Sequence, residues 1–130
     1  MSNSIVCLQE TWALNQTKID NCIYTLNKKI FSRSAKKDSD QGRPSGGIAF
    51  IVDKELKCTF IDLDERVNVL IVGNLAIINV YLTYFDASDR NKFEYTSQIE
   101  LLSQTVQSQF NKGNEIVILG DFNTDPMKEN

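Results

Sequence analysis

Apolar and polar residues alternate along the chain with periods that change several times. Ile5-Val6-Cys7-Leu8 is a continuous apolar run too short for a helix, and it ends in Gln9-Glu10-Thr11-Trp12. Such a run predicts a strand buried on both faces with a polar carboxyl end. The period then lengthens: Ile19, Cys22, Ile23, Leu26 and Ile30 fall on one helical face and predict a helix over residues 16–29. Residues 32–47 are rich in Ser, Lys, Asp, Gly and Pro, follow no apolar period and read as a loop. From Gly47 onward the pattern predicts strands over 48–52, 58–63, 67–72 and 75–82, with Gly73-Asn74 as a tight turn, in outline an antiparallel meander. Phe93, Thr96, Ile99, Leu102, Val106 and Phe110 trace a second helical stripe, with Ser88 or Asp89 as its cap and Lys112-Gly113-Asn114 as its stop. Residues 115–119 return to a buried strand that ends in Gly120-Asp121-Phe122-Asn123. This order of elements predicts an α/β sandwich with helices outside.

Composition narrows the class. With 130 residues, 42% hydrophobic and 24% charged, the chain has enough apolar material for one core and reads as one domain or part of one. It has no basic start followed by an apolar core, and no apolar run near the roughly 18 residues that span a bilayer. A soluble, unprocessed, intracellular protein is expected, with no membrane partner. The 3 cysteines, Cys7, Cys22 and Cys58, form no CxxC pair, and an odd number suggests buried thiols rather than a disulfide framework. The net charge of -3 does not favour a polyanion, yet Lys28, Lys29, Arg33, Lys36, Lys37 and Arg43 face only Asp38 and Asp40 within one stretch. That stretch is either a solvated loop or a surface that touches a polyanion.

Two apolar strands thus end in polar clusters, one carrying Glu10 and the other Asp121 and Asn123. Carboxylates at strand ends suit hard-cation sites, because the strand fixes the backbone while the side chain faces a polar crevice. A lone carboxylate there is often just a turn residue or a helix cap. Asp121 and Asn123, two positions apart, point to the same side of an extended chain and could orient a phosphate oxygen, an attacking water or a metal-bound water.

Four segments carry a resemblance. Val6-Cys7-Leu8-Gln9-Glu10-Thr11-Trp12, Gly46-Gly47-Ile48-Ala49, Asn79-Val80-Tyr81 and Ile118-Leu119-Gly120-Asp121-Phe122-Asn123-Thr124 resemble, in order and separation, successive motifs of the endonuclease/exonuclease/phosphatase superfamily. Within it, Gly42-Arg43-Pro44-Ser45-Gly46-Gly47 and Asn79-Val80-Tyr81-Leu82-Thr83-Tyr84-Phe85 are most similar to the endonuclease domain of LINE-type non-LTR retrotransposons, which are apurinic-endonuclease-like. The resemblance implies a four-layer αββα sandwich of the deoxyribonuclease-like type and a metal-dependent, DNA-nicking hydrolase using Mg2+ or Mn2+. Glu10 would then be the metal ligand, Tyr81 would contact the phosphate, Asp121 would align or activate the attacking water, and Asn123 would bond a phosphate oxygen. Lys36, Lys37 and Arg43 would be candidates for contact with DNA. A reverse transcriptase domain encoded in the parent protein, and the nucleus as the place of action on genomic DNA, are further implications.

The departures set limits. The superfamily carries a metal-site Asn on a strand ahead of the Leu-Gln-Glu motif, which Asn3 does not match, and a Ser-Asp-His segment, whereas this chain contains 0 histidines. The expectation is a single incomplete domain over residues 1–130, a partial sandwich lacking the first strand and the C-terminal part. Two other readings stay open: a non-catalytic remnant or interaction protein of the same fold, and a phosphoinositide or sphingolipid phosphoesterase of the same superfamily.

Overall fold

The computed structural model describes residues 4–14, 27–36, 46–83 and 88–123. Its elements are β1 (Val6–Gln9), β2 (Lys28–Arg33), β3 (Ile48–Asp53), β4 (Thr59–Asp62), β5 (Val67–Val72), β6 (Leu75–Tyr81), α1 (Asp89–Asn111) and β7 (Glu115–Asp121). They form two sheets, one of three strands in the order β1-β3-β2 and one of four in the order β4-β5-β6-β7. All pairs are antiparallel except β6 with β7, which are parallel. A parallel pair needs a crossover, and α1 provides it between these two strands.

Alternation along the strands builds two cores from one sheet. Val67, Val69, Ala76, Ile78 and Val80 point outward and pack with Leu102, Ile99 and Val106 of α1. Leu70 and Ile77 point the other way and meet Phe50 and Val52 of β3, with Phe31, Phe60 and Cys7 packed around them. The result is an α/β sandwich in which one sheet lies between the helix and the other sheet. Ile48, Ala49, Phe50 and Val52 are essentially inaccessible, so β3 is buried on both faces, as its uninterrupted apolar sequence requires.

The predicted strands from 48 onward occur within a residue or two of their expected bounds, and Gly73-Asn74 makes the turn between β5 and β6. The Ser88 hydroxyl caps α1 by accepting from Asn91 N–H at 3.2 Å, and Gly113, with φ 79°, ends it. Other expectations fail for identifiable reasons. The meander has three strands rather than four, because β3 joins the other sheet. The helix predicted over 16–29 is contradicted at its end, where Lys28 and Lys29 open β2 and Ile30 lies within it; residues 16–26 lie outside the described residues. Ser32 and Arg33, assigned to a loop, finish the same strand, and 37–45 lie outside the described residues.

β2 escapes a pattern search because charged residues stand on both of its faces: Lys28 pairs with Asp53, while on the side of Phe31 Lys29 Nζ donates to Leu56 O at 2.5 Å and Arg33 pairs with Asp62 at 3.2 Å. Edge strands commonly carry charge of this kind. The α1 stripe is also displaced. Phe93 and Phe110 are 75% and 68% exposed, while Asn91, Leu102, Thr105 and Gln109 are buried. Successive three-residue steps each drift by about 60° around a helix, so Phe93 ends up opposite Leu102. β1 and β7, expected to be buried, are sheet edges, with Val6, Val117, Ile118 and Leu119 exposed.

Candidate active site

β6 and β7 end side by side, with their last residues, Tyr81 and Asp121, as register partners. β1 crosses against both, and its last residue, Gln9, donates from Nε2 to Asn79 Oδ1 at 2.7 Å. Asn79 Nδ2 donates to the carbonyls of Leu8 and Ala49, each at 3.2 Å. This fully buried amide therefore joins the two sheets through hydrogen bonds at both of its ends. Glu10 follows Gln9 directly, Tyr81 stands two positions beyond Asn79, and Asp121 two beyond Leu119, the partner of Asn79. The four residues expected to form a site, Glu10, Tyr81, Asp121 and Asn123, thus stand at the carboxyl ends of three adjoining strands.

Local sequence explains how each is held. Glu10 and Trp12 have φ 52° and 55°, left-handed values that side chains other than glycine seldom adopt. Their turn is moored on the Gly-Gly motif: Thr11 N–H donates to Gly47 O at 3.3 Å and Trp12 N–H to Gly46 O at 3.1 Å. A Cβ at Gly47 would collide with Thr11 Oγ1, so the approach of the two segments requires glycine there. The indole Nε1–H of Trp12 donates to Glu10 Oε2 at 2.5 Å.

At the end of β7, Gly120 has φ 143°, and a Cβ on it would run into the backbone of Val80. Asp121 Oδ1 accepts from Asn123 N–H at 2.8 Å, and Asn123, with φ 50°, donates from Nδ2 to Leu82 O at 2.7 Å. Asn123 therefore sits in a side-chain-stabilised turn beyond the strand rather than continuing it. Glu10, Trp12 and Asn123 are the non-glycine residues with positive φ among the described residues, and all three belong to the first and last sequence motifs. Backbone of this kind persists only where its surroundings hold it, and it gathers at functional sites.

Arg66 is a member of this neighbourhood that pattern reading missed. Its guanidinium lies 5.1 Å from the centroid of the Tyr81 ring and donates to Tyr81 O at 3.4 Å, while Tyr81 N–H donates to Arg66 O at 2.9 Å. Its only signal in the sequence is a cation directly ahead of a buried strand. Lys36 is ion-paired with Glu65 at 2.7 Å, and this pairing holds the Glu65 carboxyl below its usual range. Lys37 and Arg43 lie outside the described residues. Burial pushes the Cys7 thiol up to about 11, so near neutral pH it is protonated and is neither nucleophile nor thiolate ligand.

Among the described residues, no three His, Cys, Asp or Glu side chains gather as a metal-holding group. A closed protein cage of the zinc type does not fit these residues. A magnesium-type ion does, since it keeps much of its water and takes one or two carboxylates from the protein. Glu10 is a carboxylate with one oxygen already oriented by Trp12.

Among the described residues, no helix is long and apolar enough to cross a membrane. No curated protein matches the chain. Among solved structures, a 3'-5' exonuclease (NExo) from Neisseria meningitidis is similar with a TM-score of 0.68 and 23% identity, over 94% of this chain and 48% of that one. The chain spans about half the length of that structure, and the likeness concerns the fold. The family model of the endonuclease/exonuclease/phosphatase family matches residues 2–129. This chain belongs to the endonuclease/exonuclease/phosphatase family.

Proposed function

We propose that the chain forms part of a metal-dependent phosphodiesterase, a DNA-nicking endonuclease of the kind encoded by LINE-type non-LTR retrotransposons. The observation that carries this reading is the meeting of the Glu10 turn with the ends of β6 and β7 around the Gln9–Asn79 hydrogen bond, with left-handed backbone on both sides. Family membership supports phosphodiester hydrolysis, and the Gly42 to Gly47 and Asn79 to Phe85 segments support the retrotransposon type.

Glu10 is the residue that would hold the cation, Mg2+ or Mn2+, which when bound neutralises charge on the scissile phosphate and the leaving oxygen. Tyr81, flanked by the Arg66 guanidinium, contacts the phosphate. Asp121 aligns the attacking water. Asn123 has one amide hydrogen committed to Leu82 O and offers the other to a phosphate oxygen as charge develops. Lys37 and Arg43 engage the DNA backbone, and Lys36 joins them only by giving up Glu65.

The test is magnesium-dependent nicking of supercoiled plasmid. The 130-residue chain should nick negligibly, because loss of a single charge-stabilising group commonly costs on the order of a hundredfold in rate and the chain contains 0 histidines. A version extended with an N-terminal Asn strand and a Ser-Asp-His segment should nick, and Glu10→Ala in that version should abolish it. An extended, folded protein that nicks equally well with Glu10→Ala would overturn the assignment.

A further inference from the structure

We infer that Trp12 is a positioning residue for Glu10, a neutral hydrogen-bond donor that fixes the carboxylate for a divalent cation without cancelling its charge. The inference rests on the reading of Glu10 as the cation ligand and adds how that ligand is kept in place. In an extended chain, side chains two positions apart rise in parallel from backbone positions about 6.5 Å apart, and the backbone itself does not turn one toward the other. Here Glu10 and Trp12 both take left-handed φ, and the indole Nε1–H comes to 2.5 Å from Glu10 Oε2.

The backbone around them has little freedom to do anything else. The N–H groups of Thr11 and Trp12 are bound to Gly47 and Gly46, and Thr11 Oγ1 accepts from Ala13 N–H at 3.3 Å. Beneath the turn, Gln9 is held by the buried Asn79. Glu10 is thereby gripped from below through the chain and from above through its own carboxylate. Trp12 is 45% exposed, with its N–H directed at the Glu10 carboxylate.

The chemistry of the donor matters. Lys or Arg would hold a carboxylate equally well, but its positive charge would repel the incoming cation and occupy the carboxylate as an ion pair. An indole N–H donates, never accepts and carries no charge, so it places no positive charge beside the carboxylate. One oxygen is oriented while the other retains its lone pairs for the ion or for an ion-bound water.

The chain contains 1 tryptophan, so its indole N–H resonance is unambiguous. The experiment uses the full chain and three forms: unaltered, Glu10→Ala and Trp12→Phe, the last keeping an aromatic ring without the donor. Without metal, the indole N–H resonance should move upfield in Glu10→Ala, reporting the lost hydrogen bond; an unmoved resonance overturns the proposal. Mn2+ binding, read from the free-ion electron paramagnetic resonance signal, should be present in the unaltered chain, absent in Glu10→Ala, and weakened about tenfold in Trp12→Phe at an unchanged urea midpoint. Equal Mn2+ affinity in Trp12→Phe and the unaltered chain overturns the positioning role alone. Mn2+ binding that is missing from the unaltered chain, or indifferent to Glu10→Ala, overturns the cation reading and the positioning role together. A fall in affinity accompanied by a fall in the urea midpoint assigns Trp12 to stability and overturns the proposal as well.

Discussion

The two edges of the sandwich are built differently. On the β2 and β4 side, charged side chains do the closing: Lys28 with Asp53, Arg33 with Asp62, and nearby Lys36 with Glu65. On the β1 and β7 side the border is apolar, with Val6, Val117 and Leu119 exposed, and the strand ends are held by buried or backbone contacts: the Asn79 amide, the fit of Gly120 against Val80, and the turn moored on Gly46 and Gly47. The first side relies on long, hydrated side chains that can rearrange at small cost. The second relies on short-range fits, and it is also the side where the candidate catalytic groups stand. Precision at a site comes from groups with no alternative place to go, so this side should tolerate substitution poorly and the charged side well.

The largest effect should come from Gly120→Ala, which places a Cβ against the Val80 backbone at φ 143° and should cost more than about 3 kcal/mol of stability in urea unfolding. Gly73→Ala is the control, since a Cβ there meets nothing within 4 Å and only the left-handed φ of 60° is strained, at about 1–2 kcal/mol. Equal losses would mean that the approach to Val80 is not what requires glycine. Asn79→Ala should come next, at about 2–4 kcal/mol, because it removes three hydrogen bonds made by a fully buried amide, to the carbonyls of Leu8 and Ala49 and from the amide of Gln9. A loss under about 1 kcal/mol would show that the sheets are joined by apolar packing alone.

The charged edge should give the smallest numbers. Breaking Arg33–Asp62 or Lys36–Glu65 in a double-mutant cycle should yield about 0.2–1 kcal/mol, falling further in high salt. Glu65 adds a pH signature. Its folded pKa lies below the ordinary 4.5, chiefly through the Lys36 hydrogen bond, so its contribution is complete above the unfolded value and disappears as pH falls through the folded one. The stability difference between the unaltered chain and Lys36→Met should therefore shrink on acidification below pH 4.5. A difference that stays constant across that range would remove the pair from the account.

What the sequence determined by itself was local or motif-bound. The β5–β6 hairpin follows from two alternating runs around Gly73-Asn74, and α1 from its Ser88 cap and Gly113 stop. Glu10, Tyr81, Asp121 and Asn123 could be singled out because strand-end polar clusters are visible in one dimension and their order resembles a family. Tertiary structure alone decided the partnerships. β3 follows the same apolar pattern as its neighbours yet joins the other sheet, since a run buried on both faces does not encode which sheet receives it. β2 was hidden by lysines and an arginine whose acceptors, Asp53, Leu56 and Asp62, lie more than twenty positions away. Asn79 reads as a polar interruption of a strand until Leu8 and Ala49, 71 and 30 positions distant, are brought to it. Whether a polar or charged residue is solvated, paired or buried depends on free energies of contact with groups remote in the chain, and those contacts exist only once the sheets have stacked.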